Sequence, residues 1–173
     1  MKRVLTTRNV LFALVVVVLL AAVPSSLQYA HRHGGFYLFS YQFLEDLPKR
    51  LKGPGRLRFI LQPAVAISFG IRAGISDARS RRQPFVFGVV FDSQRRRALL
   101  KEAFERLSVL IAVSILLDAL SQFLILHRVF PGPALIVGPV LIAMPYALTR
   151  ALTNRIVRHR RIESMPSREP GAR

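Results

Sequence analysis

The stretch "FILQPAVAISFGIRAGISDARS", Phe59 to Ser80, decides how many times this chain crosses a membrane. It begins as an apolar helix and then places Arg72 and Asp77 where a span should still be greasy. Only Phe59–Ile71 is free of charge, about 20 Å of helix, against about 30 Å for a hydrocarbon core. Arg58 and Arg72 at its two ends can snorkel in opposite directions and let the helix just cross. The competing arrangement lays the helix in the interface, with Arg72, Asp77 and Arg79 on headgroups. Within the stretch Gln62, Ala66, Gly70, Gly74 and Ala78 recur every four residues, and all but Gln62 are small. Small residues at that spacing let a second helix approach closely. A lipid-surface helix has no use for such a ridge, so the segment is read as crossing, with 58–76 the marginal span.

The surrounding sequence is that of a membrane protein. Of 173 residues 51% are hydrophobic, and 26 Lys+Arg face 9 Asp+Glu for a net charge of +17. The apolar residues come in blocks and the basic ones flank them, a pattern of spans anchored on anionic headgroups. Nucleic-acid binding, the other reading of so basic a chain, is not expected, because the cations do not decorate a soluble fold. With no Cys, disulfides, thiolate metal sites and Cys nucleophiles are excluded.

"NVLFALVVVVLLAAVPSS", Asn9–Ser26, resembles a signal-peptide core but is followed by a poor cleavage motif. It is read as an uncleaved anchor over about 9–27. The aromatic-rich stretch Phe36–Phe43 suits the headgroup region and is expected to stop at Pro48. "RLSVLIAVSILLDALSQFLILHR", Arg106–Arg128, holds twenty residues between Arg106 and His127, about 30 Å of helix, and gives the span 107–126. A fourth run, 133–150, is interrupted by Pro139 and Pro145. The fold expected is all-α: a single helical integral membrane domain over 1–160 with four membrane helices, plus amphipathic interfacial helices. Residues 161–173 read as a disordered cytoplasmic tail.

Orientation follows from the basic residues. Arg81, Arg82, Arg95, Arg96, Arg97 and Lys101 lie in one connecting segment, and seven Arg follow from Arg150 on. Both ends of the last hairpin therefore belong in the cytoplasm. The N-terminal half conflicts with the rule. Four spans leave seven Lys/Arg outside (Arg32, Lys49, Arg50, Lys52, Arg56, Arg58, Arg128), whereas three spans leave four (Lys2, Arg3, Arg8, Arg128).

Asp118 sits in the span 107–126, where an exposed carboxylate costs on the order of 3 kcal/mol. Ser114, Ser121 and Gln122 share its helix face at spacings of three and four. Together they form a polar seam facing the bundle or a second subunit, with Asp118 protonated or paired with Arg72. A proton- or cation-linked transport site is the sharper alternative. "DSQRRRALLKEAFERL", Asp92–Leu107, reads as a helix capped by Asp92 or Ser93. Arg95, Arg96 and Arg97 then crowd its N-terminus against the macrodipole, which points to lipid phosphates as their partners. "PFVFGVVF" before it is too short to cross and belongs in the interface. His31 and His33 stand in a Gly-flanked "HRH" without a nearby carboxylate, so no metal site is expected. Nucleophile–base orders, phosphate loops and dinucleotide fingerprints are absent, so the catalytic and cofactor residues expected are none.

"RFILQPAVAISFGIRAGISDAR" followed by "RRQPF", "LLDALSQFLIL" and "AMPYALTRALTNR" resemble a family of small, uncharacterised bacterial inner-membrane proteins, over about Arg58 to Arg155. The resemblance implies a bacterial membrane location and supplies no activity. The function expected is a non-enzymatic structural or interaction protein that packs with itself or a membrane partner in an anionic bilayer. The alternative is a small transporter or channel component using Asp118.

Overall fold

The structure, a computed structural model, describes residues 7–80 and 82–163, with side chains through residue 160. Those residues form six α-helices and no strand: α1 Thr7–His33, α2 Tyr41–Lys52, α3 Arg58–Arg79, α4 Phe85–Phe91, α5 Ser93–Leu126 and α6 Pro131–Glu163. A single 3-10 turn, Tyr37–Phe39, precedes α2. α1, α3, α5 and the Pro131–Arg160 part of α6 are long and apolar enough to cross a membrane. The disputed stretch thus lies on α3, a 22-residue helix with the composition of a span, about 33 Å long.

Several boundaries differ from the sequence reading. α1 runs through His31 and His33, which therefore lie on helix and not in a loop. α2 does not stop at Pro48 but continues to Lys52. A proline inside a helix forfeits one hydrogen bond, and here the amphipathic face burying Asp46 and Arg50 outweighs that loss. The basic helix at Asp92 and the span at Arg106 are one 34-residue helix, α5, because neither Gly nor Pro interrupts it. α6 reaches Glu163, three residues into the segment expected to be disordered; 164–173 lie outside the described residues. α5 ends where His127 takes a left-handed backbone, φ 53°, and its amide donates to the Phe123 carbonyl at 3.0 Å.

Contacts divide the chain into two compact units. The first gathers the chain up to Val65 with Ala103–Met144; the second gathers Ala66–Glu102 with the chain from Pro145. In the first, Val15, Ala112, Ile115 and Ala134 are buried together. Beside α2 lies an aromatic cluster: Tyr37 stacks on Phe130 with centroids 4.0 Å apart, and Tyr29 meets both edge-on at 5.3 and 5.5 Å. Offset-stacked and edge-on arrangements are those the ring quadrupoles favour.

The second unit uses the small-residue ridge from Ala66 on. Gln62, Ala66, Gly70, Gly74 and Ala78 are all buried, as a ridge on one helix face requires. Gly70 lies on the Tyr146–Arg150 backbone of α6, and Gly74 lies one turn further along the same helix. A Cβ on Gly74 would stand 2.6 Å from the Arg150 carbonyl oxygen and 2.7 Å from the Thr153 Cβ. Glycine here permits a helix–helix approach that any side chain blocks. Gly74→Val should therefore cost about 1–3 kcal/mol of stability through overpacking. SDS titration in mixed micelles, followed by circular dichroism, measures it. Gly35→Ala, where no atom lies within 4 Å, should leave the midpoint unchanged.

Candidate functional site

Charged groups inside the helices gather in two clusters, one per unit, and they differ in how well they are satisfied. In the second unit Asp77 of α3 meets Arg150 of α6. Arg150 Nε donates to Asp77 Oδ2 at 2.6 Å and Nη2 to Oδ1 at 3.1 Å, a bidentate pair. Nη2 also donates to Glu102 at 3.1 Å, and Nη1 to the Tyr146 hydroxyl at 3.0 Å. The Phe85 ring lies 4.5 Å from the guanidinium carbon. All three nitrogens of this buried guanidinium are occupied. Planar bidentate pairing of this kind fixes geometry as well as charge, and the cluster is a structural clamp.

The first unit is different. Asp118, Gln122 and Ser114 are wholly buried on α5, with Ser121 at 2% exposure, so the expected polar seam exists. Gln122 Nε2 donates to Asp118 Oδ2 at 2.6 Å. The same amide brackets the backbone of Phe130, accepting from its N–H at 2.8 Å and donating to its carbonyl at 3.3 Å. Ser121 donates to the Pro54 carbonyl at 3.3 Å, and Ser114 donates back to Ile111 at 2.8 Å on its own helix.

The cationic partner is not Arg72, which lies exposed on α3. Asp118 is held by Arg58 at the start of α3 and by Arg50 near the end of α2. Arg58 Nη1 lies against Asp118 Oδ1, and Arg50 Nη1 stands 3.8 Å from Oδ2. Arg58 was closer to hand: it opens the apolar stretch and can fold back along it, whereas Arg72 lies 14 residues further along the helix. Arg50 and Arg58 are 0% and 5% exposed, yet none of their six guanidinium nitrogens makes an aligned hydrogen bond. Arg50 instead lies over the Phe43 and Tyr37 rings, at 5.4 and 6.0 Å, and Arg58 over Phe59 at 4.5 Å. Rings stabilise a desolvated cation but accept no N–H bond of full strength. Two buried cations on one carboxylate make this the candidate functional site.

Two of the three arginines expected at lipid phosphates have other partners. Arg96 caps α4, donating to the Val89 and Val90 carbonyls at 2.7 and 2.9 Å, where a lipid phosphate was expected as its partner. Arg95 lies 3.7 Å from Asp92, whose carboxylate caps α5 through the Arg95 amide at 3.0 Å. Arg97 is exposed. Among the described residues no group of three His, Asp or Glu is placed to hold a metal ion. Compared with protein-family models, curated proteins and solved structures, the chain matches none.

Next to the arginines, outside the spans, Asp46 is buried and bonded to the Tyr37 hydroxyl and to Lys49, each at 2.7 Å. Burial raises the Tyr37 phenol above its ordinary range, and its bond to Asp46 adds to the rise. For Asp46 burial also pushes upward, but the bonds from Lys49 and Tyr37 and the charges of Lys49 and Arg50 outweigh it, lowering its carboxyl. A lowered carboxyl contributes stability that is present above its unfolded value of about 4 and lost as pH falls through the folded one. The wild type should therefore lose stability below about pH 4 more steeply than Asp46→Asn. Thermal melts by circular dichroism between pH 2 and 6 test this; superimposable profiles would refute it.

Proposed function

We propose that this chain is a non-enzymatic, multi-pass protein of the bacterial inner membrane that works by association, with its C-terminus cytoplasmic. The observation that carries this reading is the closure of Asp118 by Arg50, Arg58 and Gln122. A carboxylate with two guanidinium groups and an amide on it has no free edge for carrying a proton or a cation, which weighs against the transport alternative. Asp77, the other acid inside a span, is likewise occupied by Arg150.

The small-residue ridge, which the sequence offered as a surface for a second helix, is already taken by α6. Association then falls to the span that buries least of itself. α1 buries only Val15, Ala22 and Tyr29. Its outer face carries Val16, Val17, Leu20 and Leu27, each more than half exposed, at spacings that keep them on one side of the helix. This face is the surface for a second copy or another membrane helix.

The chain has no Cys, so single-cysteine variants report unambiguously. In native membranes Leu20→Cys should give an oxidative crosslink, to itself or to a partner of defined mass, whereas Ile71→Cys should not. With the C-terminus inside and four spans, Arg56→Cys should react with a membrane-impermeant maleimide from outside and Arg97→Cys should not. Absence of any adduct from the α1 face would overturn the association reading. Labelling of Arg97→Cys alone would overturn the orientation.

A further inference from the structure

A cavity of about 430 Å³ in the first unit is bordered by the end of α1, the first half of α2 and the turn from α5 to α6. Small-molecule sites occupy about 300–1,000 Å³. The apolar part of the lining is Tyr29, Tyr37, Leu126 and Phe130. His33 adds to it by stacking on Tyr29, with ring centroids 4.1 Å apart. A bond from His33 Nδ1 to the Tyr29 carbonyl, at 3.1 Å, holds the imidazole there.

The polar part of the lining is rich in donors. Gln42 Oε1 accepts the Tyr29 hydroxyl at 2.9 Å, which leaves the Gln42 amide N–H groups without a partner among the described residues. Arg128 is exposed at the cavity and makes no hydrogen bond or ion pair among the described residues. Asp46 is the acid of the lining, and its two oxygens are taken by Lys49 and the Tyr37 hydroxyl at 2.7 Å each. With that carboxylate paired, the free charge at the cavity is the Arg128 guanidinium. Donors alone can be hydrated. Donors beside a ring surface in one cavity fit a ligand that has both oxygens and an apolar body. The guanidinium fork takes two oxygens of a carboxylate or a phosphate, and only the phosphate has a further oxygen for the Gln42 amide.

We propose that this cavity binds a phosphate group carried on a small apolar body, its oxygens on Arg128 and the Gln42 amide and its body against Tyr29, Leu126 and Phe130. A soluble phosphate ester and a lipid headgroup present the same chemistry to these residues. The proposal goes beyond the association reading and stands whether or not α1 meets a partner.

Calorimetric titration of phenyl phosphate into the full chain, held in dodecyl maltoside micelles free of phospholipid, gives the test. Wild type should bind one equivalent saturably. Arg128→Gln should weaken binding by about tenfold, the worth of one charge-assisted bond. Gln42→Glu keeps an oxygen for the Tyr29 hydroxyl and replaces the amide donor with an anion. It should abolish binding while the circular dichroism spectrum stays that of wild type. Arg155→Gln removes an exposed cation from α6 and should bind as wild type does, which separates this site from general attraction to a basic chain. Dihexanoylphosphatidylglycerol, titrated in the same way, distinguishes the sources: binding tighter than phenyl phosphate assigns the cavity to a lipid headgroup, weaker binding to a soluble ester. A wild type that takes up neither probe, or binding that survives both Arg128→Gln and Gln42→Glu, would overturn the proposal.

Discussion

A carboxylate in the middle of an apolar helix cannot face lipid, and the first unit is arranged around that constraint. Asp118 requires cations, and α5 carries none within reach on its buried face, so they come from the segment between α1 and α3. That segment must then lie on α5 with Arg50 and Arg58 both directed inward. The turn joining α2 to α3 is shaped for the purpose. A side chain on Gly53 would meet Ile125 at 3.0 Å, and Gly55, with φ 87°, lies against Ser121. Ser121 holds the Pro54 carbonyl from a position one turn beyond Asp118. Gln122 extends the same network to the Phe130 backbone and so fixes where α6 begins. One acidic residue thereby sets the register of four segments.

The buried charges also bear on the conflict between helix count and basic residues. In the proposed four-span orientation seven Lys/Arg lie outside, against four for three spans. Arg50 and Arg58 are buried against Asp118, and Lys49 is paired with Asp46. Only four of the seven remain as free surface cations, which removes the numerical advantage of the three-span arrangement. Buried ion pairs are poor sources of net stability, since desolvation cancels much of the attraction. Their value here is specificity: a slipped α3 strands both a carboxylate and a guanidinium in hydrocarbon.

The architecture was legible because its signals are local. Apolar length marked α1, α5 and α6, and the four-residue recurrence of small residues marked the buried face of α3. The polar seam at Ser114, Asp118, Ser121 and Gln122 followed from helical periodicity alone. Partners were less legible, because an ion pair joins residues far apart in sequence. Arg72, which the sequence offered as a partner for Asp118, lies exposed on α3, while Arg150, 73 residues from Asp77, carries no local mark of its role. The available signal was stoichiometric: each acid inside a span needs a cation from a helix end, and Arg58 flanks such an end. Pro48 misled because its local cost is outweighed by the packing of α2 through Asp46 and Arg50.

The central claim is that Asp118 and Arg58 are energetically one unit. A double-mutant cycle of Arg58→Met and Asp118→Leu, with unfolding free energies measured in bicelles, tests it directly. Each single variant should lose about 3–5 kcal/mol by leaving an uncompensated buried charge. The double variant should lose less than the sum of the two by at least about 2 kcal/mol. Additive losses would contradict the account.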